Sequence, residues 1–406
     1  MPQQVPKLPM AAIAIRQVEK HTGASRIAFH QMSLLKEAGY RVVVLAEKAN
    51  RDLIDAHGAR LVSIWRWPFK GSFRRRWFDR RVQVWRKRHK PSLFISHGDA
   101  TQADVVFMHN CVHLASQRIN GISLPEEHEV ASVHDLILSS GGNQRVVANS
   151  WLMANEFNRR YGIEWQRLEV NYPGYDETQF NPQRARSNRQ DTRYSLGVAD
   201  DDYLIGLVTS GNFKKRNVAG FVRIAERLDE RLPGRCRFLV VGKDDAVAYQ
   251  RLAKDKGLAE RFIWRSTVPD VESIYGALDL FVLPAHIEEF GCVVIEAMAC
   301  ATPVVVSSWT GAGELLQKDY PNLIMNIDEP DAWASQIESV LTANTNGLGT
   351  ELASLAQQYS HRQQYEKLGV LFKNSLRQNY DSTGHKLKYQ IPHYPESPAS
   401  SSTTLA

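Results

Sequence analysis

The stretch Leu283-Pro-Ala-His-Ile-Glu-Glu-Phe-Gly-Cys-Val-Val-Ile-Glu-Ala-Met-Ala299 constrains the fold more than any other part of the chain. Before it, residues 278–283 (LDLFVL) have the apolar run of a short, fully buried strand. After it, residues 294–301 carry helix formers at apolar spacing, and Pro303 leads into a second buried strand, Val304–Ser307. Strand, loop, helix and strand in that order predict a right-handed crossover in a parallel sheet. Glu288 falls in the loop, Glu296 about one turn into the helix, and Gly291 at the helix start. Free backbone N–H groups and the positive end of the helix dipole there favour an anion. Ligands of open α/β sheets bind at this carboxyl-end edge. Either glutamate alone could be a surface charge favourable to the dipole. Two carboxylates beside an anion-binding helix start suit a polyhydroxylated, phosphorylated ligand such as a nucleotide sugar.

The pattern E-x-F-G-x-x-x-x-E-A-M-A over Glu288–Ala299, between a strand ending in Pro-Ala and one entered through Ala-x-Pro, closely resembles the retaining GT-B glycosyltransferases of family 4 (group 1). That family includes transferases of bacterial lipopolysaccharide core and cell-surface glycans. The resemblance implies an α/β chain with two Rossmann-like, doubly wound parallel-sheet domains facing an interdomain cleft. It implies an activated sugar held by the second domain, an acceptor held by the first, and transfer with retention at the anomeric carbon. Glu288 would contact the donor sugar and stabilise oxocarbenium charge, and Glu296 would hold ribose hydroxyls. Phe290, Gly291, Cys292 and Val293 would lie beside the donor. The likeness runs from about residue 10 to 375 and is weakest before Leu93.

A length of 406 residues predicts about two domains. The expected boundaries are residues 9–170 for the acceptor domain and 171–358 for the nucleotide-sugar domain. Residues 359–379 would form a helix crossing back to the first domain. The Ser-, Pro- and Thr-rich residues 380–406 would be a disordered tail. No run of 18 apolar residues predicts a transmembrane helix, and the first ten residues lack a signal-peptide pattern. Cys111, Cys236, Cys292 and Cys300 show no metal spacing and read as reduced thiols. The expectation is a cytoplasmic protein.

Charge is concentrated in one place. Between Arg66 and Lys90 stand eleven Lys and Arg against the single acid Asp79, so this segment carries more positive charge than the whole chain's +6. Arg74, Arg75, Arg76, Arg80 and Arg81 are interleaved with Trp77, Trp85 and further aromatics. Rings at an interface with cations above them suit an anionic membrane surface. The same composition could serve nucleic acid, or a solvated helix whose aromatics pack on their own domain. No nucleic-acid-binding motif accompanies it, so the expected partner is the inner face of a membrane, presenting a glycan or lipid-linked acceptor.

The first domain opens with a strand over residues 10–15, a loop containing Thr22-Gly23-Ala24-Ser25, a helix over 27–38 and a strand over 42–46. Gly23 there would let backbone approach a ligand. Family members often carry two glycines, a small residue, Glu and Arg at this place; Gly23 and Arg26 match and the first glycine is missing. Two later strands end in His97-Gly98 and His109-Asn110. A histidine past a strand's carboxyl end can donate to a sugar hydroxyl or a developing leaving-group charge, though most single histidines are satisfied loop residues. His109 matches the family's strand-terminal histidine and is the expected catalytic one. His134 falls in a helical run, residues 129–138, and is set aside. Ser150 reads as the N-cap of a helix from Trp151 to Tyr161. Residues 170–176 form a turn-rich connector, and the charged residues 183–193 after it predict an exposed boundary.

The second domain begins with a strand over residues 203–209, followed by Ser210-Gly211-Asn212-Phe213-Lys214-Lys215-Arg216-Asn217 and a helix over Val218–Arg231. Gly211, Lys215 and Arg216 at a helix start suit a diphosphate. The family's order there is Arg, Lys, Gly; here the cations are swapped and Asn217 replaces the glycine. The swap matters because Arg grips phosphate bidentately and Lys does not. Thr310-Gly311-Ala312-Gly313-Glu314 offers another backbone cradle. Asp200–Asp202 is a D-x-D in a surface turn with no metal role expected, and no other metal-ligand spacing occurs. No cofactor is therefore expected beyond the donor itself, a UDP-sugar as first expectation. The competing activities are a nucleotide-sugar epimerase or hydrolase on the same fold, and a basic nucleic-acid-binding protein.

Overall fold

A computed structural model describes residues 8–19, 23–343 and 347–378, so Thr22 and the expected tail lie outside it. One compact unit runs to Gly369, and a short second unit starts at Val370 inside the last helix. The larger unit holds two parallel sheets. The first consists of β1 Met10–Ala14, β2 Arg41–Ala46, β3 Ala59–Ser63, β4 Leu93–Ser96, β5 Val105–Phe107, β6 Arg145–Ala148 and β7 Leu168–Val170. The second consists of β8 Tyr203–Val208, β9 Cys236–Val241, β10 Phe262–Arg265, β11 Leu280–Leu283, β12 Val304–Ser307 and β13 Ile324–Met325. Their spatial orders are β3-β2-β1-β4-β5-β6-β7 and β10-β9-β8-β11-β12-β13. Each is the doubly wound order, which reverses direction beside its first strand. This is the expected pair of Rossmann-like domains.

The helices used below are α1 Gly23–Glu37, α2 Ser72–His89, α3 Ala131–Leu138, α4 Trp151–Tyr161, α5 Val218–Arg231, α6 Cys292–Ala299 and α7 His361–Gln378. Strands covered on both faces read as unbroken apolar runs; β11 (LFVL) and β12 (VVVS) are buried at every position. Covering helices show a stripe instead. α5 buries Val218, Phe221, Val222, Ala225 and Leu228, spaced three and four apart on one face. The start of α7 lies on α1, where Arg26 Nη1 donates to His361 Nε2 at 2.7 Å and Tyr365 Oη donates to Glu37 Oε1 at 2.7 Å.

Three expectations need correction. Residues 183–193 are mostly exposed and form parts of two helices, Pro182–Ser187 and Arg189–Leu196, but not every charge there faces solvent. Arg193 is only 3% exposed, because Asp279 and the carbonyls of Ala277, Ala199 and Asp202 take its guanidinium. At Arg193 alone the charge signals buried pairing rather than solvent. Leu278 belongs to the end of the preceding helix, so β11 begins at Leu280. The first sheet also has an edge strand, β3, absent from the reading of the sequence; its half-buried ARLVS lacks the apolar run of the central strands.

Candidate active site

At the switch point of the second sheet, β8 and β11 lie side by side, and the segments leaving their carboxyl ends are residues 209–217 and 284–291. These segments carry the predicted cations and Glu288. Arg216 Nη2 lies 2.6 Å from Glu288 Oε2, and Lys215 Nζ is paired with Glu289 Oε2. All four side chains are largely buried. Burial pushes the Glu288 carboxyl up, with Arg216 and then Lys215 opposing it. Arg216 leaves its buried Nε without a protein partner.

The glutamate segment is held as firmly as a strand. Glu288 N donates to Trp309 O at 2.9 Å, Gly311 N to Glu288 O at 2.9 Å, and Ala312 N to Phe290 O at 2.7 Å. Gly291 is required twice: its φ is +93°, and an added Cβ would stand 2.9 Å from Glu288 Cγ. It is also the N-cap of α6, whose first turn has no side-chain cap. The Phe290 ring turns inward against Tyr172, with centroids 5.6 Å apart, which leaves only its backbone at the edge.

Asn217 stands where the resemblance implies a glycine. Its φ is +54°, a conformation that Asn tolerates better than most residues. Its side chain accepts from Gly220 N at 3.0 Å, capping α5, and donates to Pro284 O at 3.0 Å. The two segments are therefore tied below the ion pairs as well as through them. Gly211, at φ +150°, leaves 3.0 Å between a built Cβ and Asp244 Oδ1, while Asp244 Oδ2 accepts from Phe213 N at 2.7 Å.

Glu296, one turn into α6, accepts from Tyr275 Oη at 3.2 Å. Burial raises its carboxyl to about 7; that hydrogen bond and the Arg26 charge act in the opposite sense. Gly23 begins α1 at φ +45°, a conformation that favours glycine, with no protein atom within 4 Å of an added Cβ.

At the first sheet's edge, His109 Nε2 is 3.0 Å from His97 Nδ1, and His97 Nε2 is 2.9 Å from Gln31 Oε1. Burial lowers His109 to about 4, against a hydrogen bond to Asn149, and holds His97 well below its usual range. Both imidazoles are neutral at neutral pH, so His109 serves as a hydrogen-bonding group rather than a cation. His134, set aside in the sequence, is helical as expected. It is also buried beside this pair, next to Gly98.

Three residues bridge the sheets, a role that the sequence reading gave to none of them. Glu289 accepts from Cys111 N at 3.3 Å while it holds Lys215. Ser150 caps α4 as expected and also donates to Glu289 O at 2.5 Å. Glu314 accepts from Trp151 N and Leu152 N at 2.9 and 2.8 Å and from Tyr172 Oη at 2.9 Å, completing the α4 cap from the other domain. The one available signal for Glu289 was its place next to Glu288.

The basic segment is the helix α2, anchored by buried Phe78 and Val82. Trp65, Trp67, Phe73 and Trp77 meet edge to face, tilted or, for Phe73 and Trp77, stacked, and Trp65, Phe69 and Phe73 remain 60%, 70% and 54% exposed. Arg76, Arg80 and Arg81 are exposed, and Trp85 stacks on His89. Arg74 and Arg75 are not part of that outer face. They turn inward to Glu129 and Asp99, at 3.3 and 3.7 Å. No helix among the described residues is long and apolar enough to cross a membrane. In the D-x-D turn, Arg237 holds Asp202 and Gln190 holds Asp200.

Comparison with known proteins agrees with this arrangement. The family described as Glycosyltransferase Family 4 matches residues 21–179, and the one described as Glycosyl transferases group 1 matches residues 205–343. D-inositol 3-phosphate glycosyltransferase of Rhodococcus erythropolis is 30% identical over 258 residues, covering 57% of this chain and 56% of the relative. The enzyme of the same name from Salinispora arenicola is 29% identical over 230 residues, covering 53% and 50%. The match thus spans about half the length of these curated relatives. Among solved structures, WaaG, a glycosyltransferase involved in lipopolysaccharide biosynthesis, superimposes with a TM-score of 0.69 at 19% identity, over 89% of this chain and 99% of its own. Anabaena HepE in complex with UDP-glucose gives 0.66 at 17%, over 90% and 100%.

Proposed function

This chain belongs to the glycosyltransferases of family 4 (group 1), and we propose that it moves a sugar from a nucleoside-diphosphate sugar to a glycan or glycolipid acceptor. The single observation that carries the reading is the pairing of Arg216 and Lys215 with Glu288 and Glu289 at the second sheet's switch point. Two cations beside an uncapped helix start form a receptor for a diphosphate. On arrival it would compete with the carboxylates for Lys215 and Arg216, which then neutralise the charge that develops on the leaving group. That is the task a divalent ion performs in other transferases, so the reaction is read as metal-independent. Glu288, fixed by its backbone bonds to residues 309–311, is left against the donor sugar, where a carboxylate favours an oxocarbenium-like transition state. Departure and attack on one face would retain the anomeric configuration. Glu296 takes the ribose hydroxyls, and His109, held by His97 and Asn149, lines the acceptor side.

UDP as the nucleotide is supported by the UDP-glucose complex of HepE, which shares the fold. The exposed Trp65, Phe69 and Phe73 beside Arg76, Arg80 and Arg81 support an acceptor at the cytoplasmic face of an anionic membrane, such as a lipopolysaccharide core. The test is incubation with UDP-sugars, with and without membrane-derived glycan acceptors, following UDP release and product by mass spectrometry and anomeric NMR. UDP release that depends on acceptor supports transfer. Equal release without acceptor, or a changed sugar still on UDP, would make the protein a hydrolase or an epimerase.

A further inference from the structure

A row of alternating charge crosses the carboxyl edge of the first sheet. Arg66, Glu47, Arg16 and Asp99 follow the ends of β3, β2, β1 and β4, which are neighbours in that spatial order. Arg16 grips Glu47 through Nε and Nη2 at 3.1 and 3.0 Å, and its backbone N donates to Asp99 Oδ2 at 3.0 Å. The contacts then loosen. Arg66 is 3.9 Å from Glu47, Arg75 is 3.7 Å from Asp99 and 3.5 Å from Glu129, and Arg74 is 3.3 Å from Glu129. Four guanidinium groups meet three carboxylates, and the buried Nε atoms of Arg66, Arg74 and Arg75 have no hydrogen-bond partner.

An unpaired buried donor is costly, and more so on a charged group. Arg75 shows the strain, since burial and then the Arg16 charge push its guanidinium down. Burial also raises Asp99, against the hydrogen bond from Arg16 N and the charges of Arg16 and Arg75. Arg66, Arg75 and Glu129 keep 35%, 21% and 30% of their side chains exposed, so a ligand can reach the surplus positive end.

We propose that Arg75, with Arg74 and Arg66, binds a phosphate group carried by the acceptor. A tetrahedral oxyanion accepts from several guanidinium forks at once, which the loosely shared Glu129 and Asp99 do not. The assignment rests on the reading of the first sheet as the acceptor side. It separates these arginines from the outer face of α2, and it makes an unphosphorylated acceptor a poor one.

The experiment titrates inorganic phosphate, by calorimetry, into protein saturated with UDP, so that the Lys215–Arg216 loop is already occupied. Wild type binds phosphate. Arg75→Gln weakens it by about 10-fold or more, as for loss of a bidentate charged contact; Arg75→Lys, which keeps the charge without the fork, falls between. Arg88→Gln, exposed on the same helix, leaves it unchanged, and thermal unfolding without phosphate confirms that each variant is folded. No phosphate binding by wild type at millimolar concentration would overturn the proposal, as would equal affinity in Arg75→Gln. Phosphate binding that depends on Arg75 in a protein that ignores UDP would sink the donor reading and leave this one standing.

Discussion

Arg216 Nη2 lies 2.6 Å from Glu288 Oε2, a bond that joins the segments leaving β8 and β11 where the strand order reverses. Neither residue is there by packing alone. Glu288 is 8% exposed and pushed towards its protonated form by burial. A carboxylate so placed is stabilised by one cation that a diphosphate would also claim, so donor binding and the state of Glu288 are coupled.

Glu288→Gln keeps the shape of the side chain and the backbone bonds to Trp309 and Gly311. Transfer should fall by about 10²-fold or more if the carboxylate stabilises transition-state charge, with the melting temperature little changed. Steady-state kinetics giving wild-type kcat/KM would remove Glu288 from the chemistry.

Glu296 sets a pH dependence. Its carboxyl is raised to about 7, so it is protonated in mildly acid solution and ionised above neutrality. Ionised, it is the better acceptor for ribose hydroxyls. Affinity for UDP should therefore rise as pH increases from 6 to 8, and Glu296→Gln should flatten the profile. Folding stability runs the other way: the raised pKa costs nothing below the unfolded value, and stability is lost as pH climbs from there through about 7. A wild-type affinity flat across this window contradicts the assignment.

Asn217→Ala should destabilise by roughly 1–3 kcal/mol, losing a helix cap and placing a Cβ residue without a side-chain hydrogen bond at positive φ. Asn217→Gly should cost less, since glycine accepts the φ of +54° freely. Urea denaturation that ranks the two the other way would show that the bond to Pro284 outweighs the backbone.

Membrane association should reside in the outer face of α2. With Arg76, Arg80 and Arg81 changed to Gln, binding to anionic liposomes should drop by about 3 kcal/mol at low salt, near 1 kcal/mol for each basic residue. Cosedimentation decides it. A wild type that stays in the supernatant at low salt assigns the patch to something other than lipid.

The donor half was legible because its signals are local: unbroken apolar strands, a glycine at a helix start, and glutamates at a fixed spacing from it. β12 was read to the residue. The rest depended on pairing across the fold. Arg193 looked exposed until Asp279, 86 residues away, supplied its partner. Arg74 and Arg75 looked like members of one basic face, but helical rotation turns them inward while Arg76 and Arg80 point out. Glu289 and Glu314 act on backbone N–H groups of the other domain, a role that leaves no mark on the sequence near either of them.

The most direct test of the donor site is calorimetry of UDP and of uridine against wild type and the double variant Lys215→Ala, Arg216→Ala. Loss of two charge-assisted contacts, each worth about 1.5–3 kcal/mol, predicts UDP binding weakened by on the order of 10²-fold or more, with uridine binding nearly unchanged. Equal losses for the two ligands, or a wild type that binds neither, would contradict the placement of the diphosphate at Lys215 and Arg216.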